Sequence, residues 1–347
     1  VIRDKARQLG FILAGVTTPD PPPHYSTFEQ WLAQGRHGTM DYLATERSRL
    51  RRADPREIMP ECRSILVLAT PYPSPGGKGL PEEPGEGEIA GRIASYAWGM
   101  DYHDVLPGRM QELVQFIEEQ VGYPVTNRWY TDTGPLLERD LAQRAGIGWI
   151  GKNTCLIHPK HGSYFLLSEI LLDLELEPDP PFVTDHCGTC TRCIEACPTD
   201  CILTDRTIDA TRCISYLTIE LKEGIPVELR NKMGNWVFGC DICQTVCPWN
   251  RFAEEGDPAF GEQSSAQHLP KELSLTTQEF NQRFKGTPVK RAKRRGYLRN
   301  VAVALGNIGD MHALPVLQNA RNDEEPLVRE HAQWAIQEIN KRAPEQK

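Results

Sequence analysis

Eight of the eleven cysteines in this 347-residue chain fall into two spaced runs. Cys187, Cys190, Cys193 and Cys197 are separated by two, two and three residues, and Pro198 follows the last of them. Cys240, Cys243 and Cys247 repeat the end of that pattern before Pro248, with Cys213 upstream of a 26-residue insertion. Such spacing lets three thiolates meet three corners of one iron–sulfur cubane, while the cysteine before proline turns to a neighbouring cluster. By that exchange one four-iron, four-sulfur cluster takes Cys187, Cys190, Cys193 and Cys247. The other takes Cys197, Cys213, Cys240 and Cys243. Two adjacent clusters make a wire for single electrons. Structural zinc also uses cysteine pairs two residues apart, yet it explains neither the third cysteine of each run nor the Cys-Pro endings. Cys62, Cys155 and Cys201 are left over and are expected as small buried hydrophobes. Cys201, four residues past Cys197, is close enough to confuse a ligand count.

A ferredoxin alone needs far less chain, so most of the sequence must serve what the clusters feed. Two or three domains are expected at this length. Residues 1–180 read as mixed α and β. Ser64–Ala69 is a buried strand by its unbroken apolar run. Ser74–Gly91, rich in Pro, Gly and Glu, is a loop or lid. Leu106, Met110, Leu113, Ile117 and Val121 keep helical spacing across Asp104–Val121. A strand over Val125–Tyr130 follows, then a helix over Pro135–Ala145 capped by Thr133, a glycine-rich turn at Gly146–Asn153, and strand character over Ser163–Leu174. Residues 181–261 hold the cluster cysteines. Residues 262–347 contain no cysteine and read as helical, with Leu298, Val301, Leu305 and Ile308 on one face and Val328, Ala332, Ala335 and Ile339 on another. That tail resembles one or two HEAT-type helical repeats, too few to stand alone. The fold class is α+β: a cofactor-binding α/β domain, a ferredoxin-like two-cluster domain and a C-terminal α-helical repeat.

No apolar run is long enough to span a bilayer, and Val1–Gly10 lacks the layout of a signal peptide, so a cytoplasmic protein is expected. The net charge of −8 argues against a nucleic-acid partner until its distribution is read. Between Asn281 and Gly309 there is no acidic residue, while Arg283, Lys285, Lys290, Arg291, Lys293, Arg294, Arg295 and Arg299 are all basic. The remainder therefore carries about −16. A charge run is commonly only a solvated face, but this one suits a polyanion.

Several segments carry a resemblance. They are Tyr96-Ala97-Trp98-Gly99-Met100-Asp101-Tyr102-His103, Tyr130-Thr131-Asp132-Thr133-Gly134-Pro135-Leu136-Leu137-Glu138-Arg139 and Gly148-Trp149-Ile150-Gly151-Lys152-Asn153-Thr154. Cys213-Ile214-Ser215-Tyr216-Leu217-Thr218-Ile219-Glu220 and Gly239-Cys240-Asp241-Ile242-Cys243-Gln244 add to them. With these the chain resembles the epoxyqueuosine reductases, cobalamin-dependent enzymes that complete the modified tRNA base queuosine. The likeness runs over essentially the whole chain. Cys201 departs from it, because the family pattern usually has a small non-thiol residue there.

The resemblance implies base-off cobalamin beside a cluster, in a pocket related to that of reductive dehalogenases. An Asp-x-His-x-x-Gly motif for a lower histidine ligand is absent, since Asp101-Tyr102-His103 does not continue that way. It also implies removal of an epoxide oxygen as water with two electrons and two protons, the electrons entering from an external donor. Asp132 is the implied proton donor, which at neutral pH requires burial to raise its pKa. Its plainer use is as a helix-start aspartate. Lys152 and Asn153 would bind corrin amides and the nucleotide phosphate, or merely close a loop. Arg52, Ala97, Ser163, Ser215 and Asp241 are further implied cofactor contacts, and Asp101 and His103 line the pocket or satisfy one another. Lys285, Lys290, Arg291, Lys293, Arg294, Arg295 and Arg299 would grip the anticodon stem-loop of tRNA, with Tyr297 available for stacking. A monomer is expected. Two other functions fit parts of the pattern: a corrinoid reductive dehalogenase, and an electron carrier without a substrate of its own.

Overall fold

The computed structural model describes residues 1–74, 89–261 and 266–342. Its first sheet is antiparallel, in the order β1 (Leu13–Thr17), β2 (Ser64–Pro71), β7 (Phe165–Leu172), β4 (Asn127–Tyr130). All eight residues of β2 are buried, as its apolar run requires of a central strand. Alternate side chains of a strand point to opposite faces. Accordingly Leu66, Leu68, Ile170 and Leu172 meet Leu106, Met110, Leu113 and Ile117 of the helix Tyr102–Val121 on one side. Ile65, Val67, Ala69 and Leu171 meet Leu141, Ala142 and Leu156 on the other. Asp101 caps the long helix by accepting from the His103 amide, and Gly122 ends it at φ 80°, a left-handed turn that glycine adopts without strain.

A second sheet, in the order β8 (Trp236–Phe238), β3 (Ala90–Ile93), β9 (Ala266–His268), takes one strand from each of three distant stretches. Ala90 and Gly91 thus lie in a strand instead of the expected loop, and residues 75–88 of that loop lie outside the described residues. The short pair β5 (Trp149–Ile150) and β6 (Leu156–Ile157) closes the Gly151–Cys155 turn. The helix after β4 starts at Glu138, with Leu137 as its cap and not Thr133, whose amide instead donates to Thr131 O at 2.6 Å.

The tail helices Lys293–Ile308 and Pro326–Arg342 pack through Leu298, Val301, Leu305, Val328, Ala332, Ala335 and Ile339. Ile308 is 43% exposed, because the helix ends there and its last turn leaves the core. This core continues without a break into Ile93–Trp98 and Ile214–Phe238. Asn300 Nδ2 ties the tail to the cysteine-rich stretch by donating to Thr218 O at 2.8 Å and Val237 O at 2.9 Å. Among the described residues no helix is long and apolar enough to cross a membrane.

Candidate active site and paired thiol clusters

Just beyond β4, Thr131 is pinned to the sheet by its hydroxyl on Leu167 O at 2.8 Å. The next residue, Asp132, has φ 56°, a left-handed conformation uncommon outside glycine. Its Oδ2 accepts from the Tyr102 hydroxyl at 2.9 Å and from Arg291 Nη1 at 3.1 Å. His103 Nε2 stands at 3.6 Å, an ion-pair distance and too long for a hydrogen bond. The other ring nitrogen, Nδ1, donates to Asp101 Oδ1 at 2.8 Å, so the imidazole lies between two carboxylates. Burial opposes its charge, but Asp101 and Asp132 outweigh burial and raise the His103 pKa to about 9. It is an imidazolium at neutral pH.

Asp132 itself departs from expectation. Burial does push its pKa up, yet His103, Arg291 and Tyr102 together outweigh that and hold the carboxyl well below the usual range. At rest it is a carboxylate and not a neutral acid. The expected rise fails because two cations reach it, one from the helix after Asp101 and one from the tail. Although ringed by these groups, Asp132 is 49% exposed, so solvent or a substrate can reach it. Tyr42 (57% exposed) and Met100 (54% exposed) are among the large apolar side chains left uncovered. Tyr42 lies within electrostatic reach of both Asp132 and Arg291.

The thiols gather into two groups. Cys247 lies near Cys187 and Cys193, and Cys193 near Cys187 and Cys190. Cys240 lies near Cys213 and Cys197, and Cys243 near Cys240 and Cys213. Sequence neighbours Cys243 and Cys247 thus face different groups. Trp149 Nε1 donates to Cys187 Sγ at 3.5 Å, and Trp149, Trp249 and His186 form an aromatic wall there. Among the described residues no three ligand-type side chains close around a single ion, whereas a cubane spreads its thiolates over a wider body. Cys62 and Cys201 are buried and Cys155 partly so. Cys201 Sγ lies 3.4 Å from Cys197 Sγ, and Cys155 sits against Cys243.

Tyr96 connects the two regions, lying within electrostatic reach of both Asp132 and Asp241. Its ring packs edge-on against Tyr102 at 6.2 Å and against Tyr72 at 6.4 Å, and the Tyr72 hydroxyl accepts from Gln244 Nε2 at 3.2 Å. Several implied cofactor contacts gather at that cluster-side end. Buried Asn153 donates to Cys243 O at 3.4 Å, Ser163 Oγ donates to Gln244 Oε1 at 2.9 Å, and Asp241 accepts the Ser95 amide at 2.7 Å. Ala97 is buried close by on the Ser95–Ala97 turn, and Ser215 presents its amide to the Cys213 thiol. Two implied contacts have other work. Lys152 Nζ donates to Gly188 O at 2.7 Å and Cys190 O at 3.0 Å, so its charge clamps the first thiol loop, the loop-closing role that the sequence also allowed. Arg52 is buried over the Phe28 ring and donates to Ser48 and to Gly134 O, so it braces the Asp132 turn from behind. A cavity of about 990 Å³ beside Cys247 and Asn250 does not include Asp132 in its lining; convergent charge places the candidate chemistry at Asp132 instead.

With this geometry in hand, the chain can be set beside known proteins. The family "4Fe-4S double cluster binding domain" matches residues 186–250, and "Epoxyqueuosine reductase QueG, DUF1730" matches residues 52–133. The epoxyqueuosine reductase of Xanthomonas campestris is 42% identical over 342 residues, covering 96% of this chain and 94% of its own. This chain belongs to the epoxyqueuosine reductase family. A solved epoxyqueuosine reductase with an epoxyqueuosine-modified tRNA stem loop is 33% identical, with TM-score 0.88 over 97% of this chain and 89% of that one. The enzyme from Bacillus subtilis, solved with its catalytic aspartate loop swung out of the active site, is also 33% identical, with TM-score 0.86 over 97% and 89%.

The basic stretch of this family member divides in two. Lys285, Lys290, Arg291, Lys293 and Arg295 are exposed, with Arg291 reaching Asp132. Arg299 is fully buried and donates to Leu221 O, Glu223 O and Leu217 O, so it cannot meet phosphate. Arg294 is mostly covered and paired with Asp323 at 2.6 Å. Tyr297 is buried too, its hydroxyl on Glu272 at 3.0 Å, which rules out stacking on a base. The stretch from Asn281 to Gly309 offers no local acid, but the fold brings it Glu272 and Asp323 from either side in the tail and Asp132 from the first sheet. Tyr102, Glu138, Glu169, Gln244 and Asn250 were missed as site residues. Tyr102, Glu138 and Gln244 had a signal, since all three lie within the family-like segments, whereas Glu169 and Asn250 had none.

Proposed function

We propose that this chain reduces epoxyqueuosine to queuosine in tRNA, the last step in making that base, with Asp132 as the group that hands a proton to the departing epoxide oxygen. The observation that carries the proposal is the Asp132 centre: a half-exposed carboxylate held by an imidazolium, a phenol and a guanidinium. It lies across Tyr96 from a double set of thiols. Two four-iron, four-sulfur clusters fit the quartets Cys187, Cys190, Cys193, Cys247 and Cys197, Cys213, Cys240, Cys243.

Cobalamin would be held between this centre and the thiols. Exposed Tyr42 stands within electrostatic reach of the half-exposed Asp132, and Asn153, Ser163, Ser215, Asp241 and Ala97 would meet the group from the cluster side. When bound there, cobalamin supplies the low-potential two-electron chemistry that the side chains lack. The residues do the rest. His103 Nε2 has no hydrogen-bond partner and faces Asp132, so its proton passes to the Asp132 carboxylate and on to the substrate oxygen. Tyr102 and Arg291 hold Asp132 in place and neutralise it between turnovers. Lys285, Lys290, Lys293 and Arg295 would meet the phosphates of the anticodon stem-loop, on a tail read as a HEAT-type repeat. An external donor feeds the clusters.

Anaerobically purified protein, given cobalamin, a strong reductant and tRNA carrying epoxyqueuosine, should convert that base to queuosine. Brown cluster absorbance without corrin bands, together with no conversion, would make it an electron carrier.

A further inference from the structure

We propose that Glu138 and Glu169 hold one proton between them behind Asp132 and return it to the Asp132–His103 centre in each turnover. The proposal rests on the deoxygenation read above. That reaction breaks both C–O bonds of the epoxide, forms one C=C bond, and consumes two electrons and two protons to release water. The donor supplies the electrons. One proton is in place as the His103 imidazolium, and the second needs a source.

Glu169 is fully buried at the middle of the first sheet, opposite Tyr130 on β4 and Val67 on β2. Neither of its carboxylate oxygens has a hydrogen-bond partner, and neither does Glu138 Oε1. The two side chains face each other within bonding reach. Two carboxylates in contact are both acceptors and make no bond, whereas one shared proton turns the contact into a hydrogen bond. Among the described residues cations relieve only Glu138, and only partly. Arg52 and Arg139 act on Glu138, but Arg52 is spent on Ser48 and Gly134 O, and Arg139 on Thr154 O. The remaining charged neighbour is Asp132, which faces both glutamates and is itself negative. Burial, reinforced by Asp132, raises Glu138 to about 8, and burial with Glu138 raises Glu169 as well. The pair is therefore protonated below that range and loses its proton as pH rises through it. These are positioning residues for a proton, acting through Asp132; they do not touch the substrate.

Infrared titration of the cofactor-free protein should show a protonated-carboxyl band that fades as pH passes about 8. Glu138→Gln and Glu169→Gln should each weaken the band and move its frequency and its titration away from the native ones. In the loaded enzyme both variants should slow single-turnover deoxygenation by about 10²-fold and abolish its dependence on pH near 8, with stem-loop affinity unchanged. Should Glu169→Gln fail to fold, Glu138→Gln, at a half-buried helix start, gives the same readout. A native enzyme with no such band overturns the proposal, as do folded variants with native rate and pH profile. If the native protein never converts the base, the deoxygenase reading has failed instead, and the infrared band tells the two failures apart.

Discussion

Replacing Asp132 by asparagine keeps the shape of the side chain and removes its charge. In the native centre burial opposes the His103 charge, while Asp101 and then Asp132 lift the pKa from 6.5 to about 9. Since one pKa unit is about 1.4 kcal/mol, the imidazolium is stabilised by a net of about 3 kcal/mol after the carboxylates have overcome burial. The 2.8 Å contact to Asp101 is closer than the 3.6 Å contact to Asp132, which gives Asp132 the smaller share, about 1 kcal/mol. A histidine raised in this way contributes fully below its ordinary pKa and loses that contribution as pH rises through the raised one. Native turnover should therefore hold through neutral pH, and the His103 step in its decline should come above about 9, beyond the one near 8 assigned to the glutamate pair. In Asp132→Asn the fall should come up to about one unit earlier. The amide also cannot relay a proton, so the plateau rate should drop by about 10²–10³. The assay is single-turnover conversion of an epoxyqueuosine stem-loop across pH, with affinity measured separately. Affinity should hold or tighten, because Arg291 loses its carboxylate partner. A near-native rate, or a loss arising wholly from weaker binding, would refute this account of Asp132.

Cys247→Ala should destroy the cluster held with Cys187, Cys190 and Cys193 and lower iron from about eight to about four per chain; loss of the Cys240–Cys243 cluster instead would reverse the exchange. Neutralising Lys285, Lys290, Lys293 and Arg295 together should flatten the log–log salt dependence of tRNA binding by about 3, at about 0.7 per phosphate contact, with cluster content intact. An unchanged slope would move the RNA site elsewhere. Arg299→Met leaves the carbonyls of Leu217, Leu221 and Glu223 without their donor and should cost about 3–5 kcal/mol in unfolding experiments, with the salt slope unaltered.

Much of the scaffold was legible because its signals are local. The run Ser64–Ala69 became the fully buried central strand, and the spacing of Leu106, Met110, Leu113 and Ile117 became the helix face that covers it. Thr133 looked like a cap because Asp-Thr-Gly-Pro commonly starts a helix. Here the chain first turns through Asp132 and Gly134, and the helix begins at Glu138. That delay leaves the Asp132 carboxylate free to face Tyr102 and Arg291 instead of a helix amide.

The cysteine spacing by itself determined the electron-carrying chemistry, because cubane geometry dictates how close three thiolates must lie along a chain. The family-like segments around Asp132 and Gly148 pointed to the reaction. Only the tertiary structure decided which charges act. Arg291, counted with the basic stretch, closes on Asp132 from 159 residues away, while Arg299 from the same stretch is buried among backbone carbonyls. Glu169, one acid within an apolar strand, becomes one of two facing carboxyls only when the sheet sets it beside Glu138. Protonation depends on burial and on partners within a few ångströms, and both arise from contacts between residues far apart in sequence.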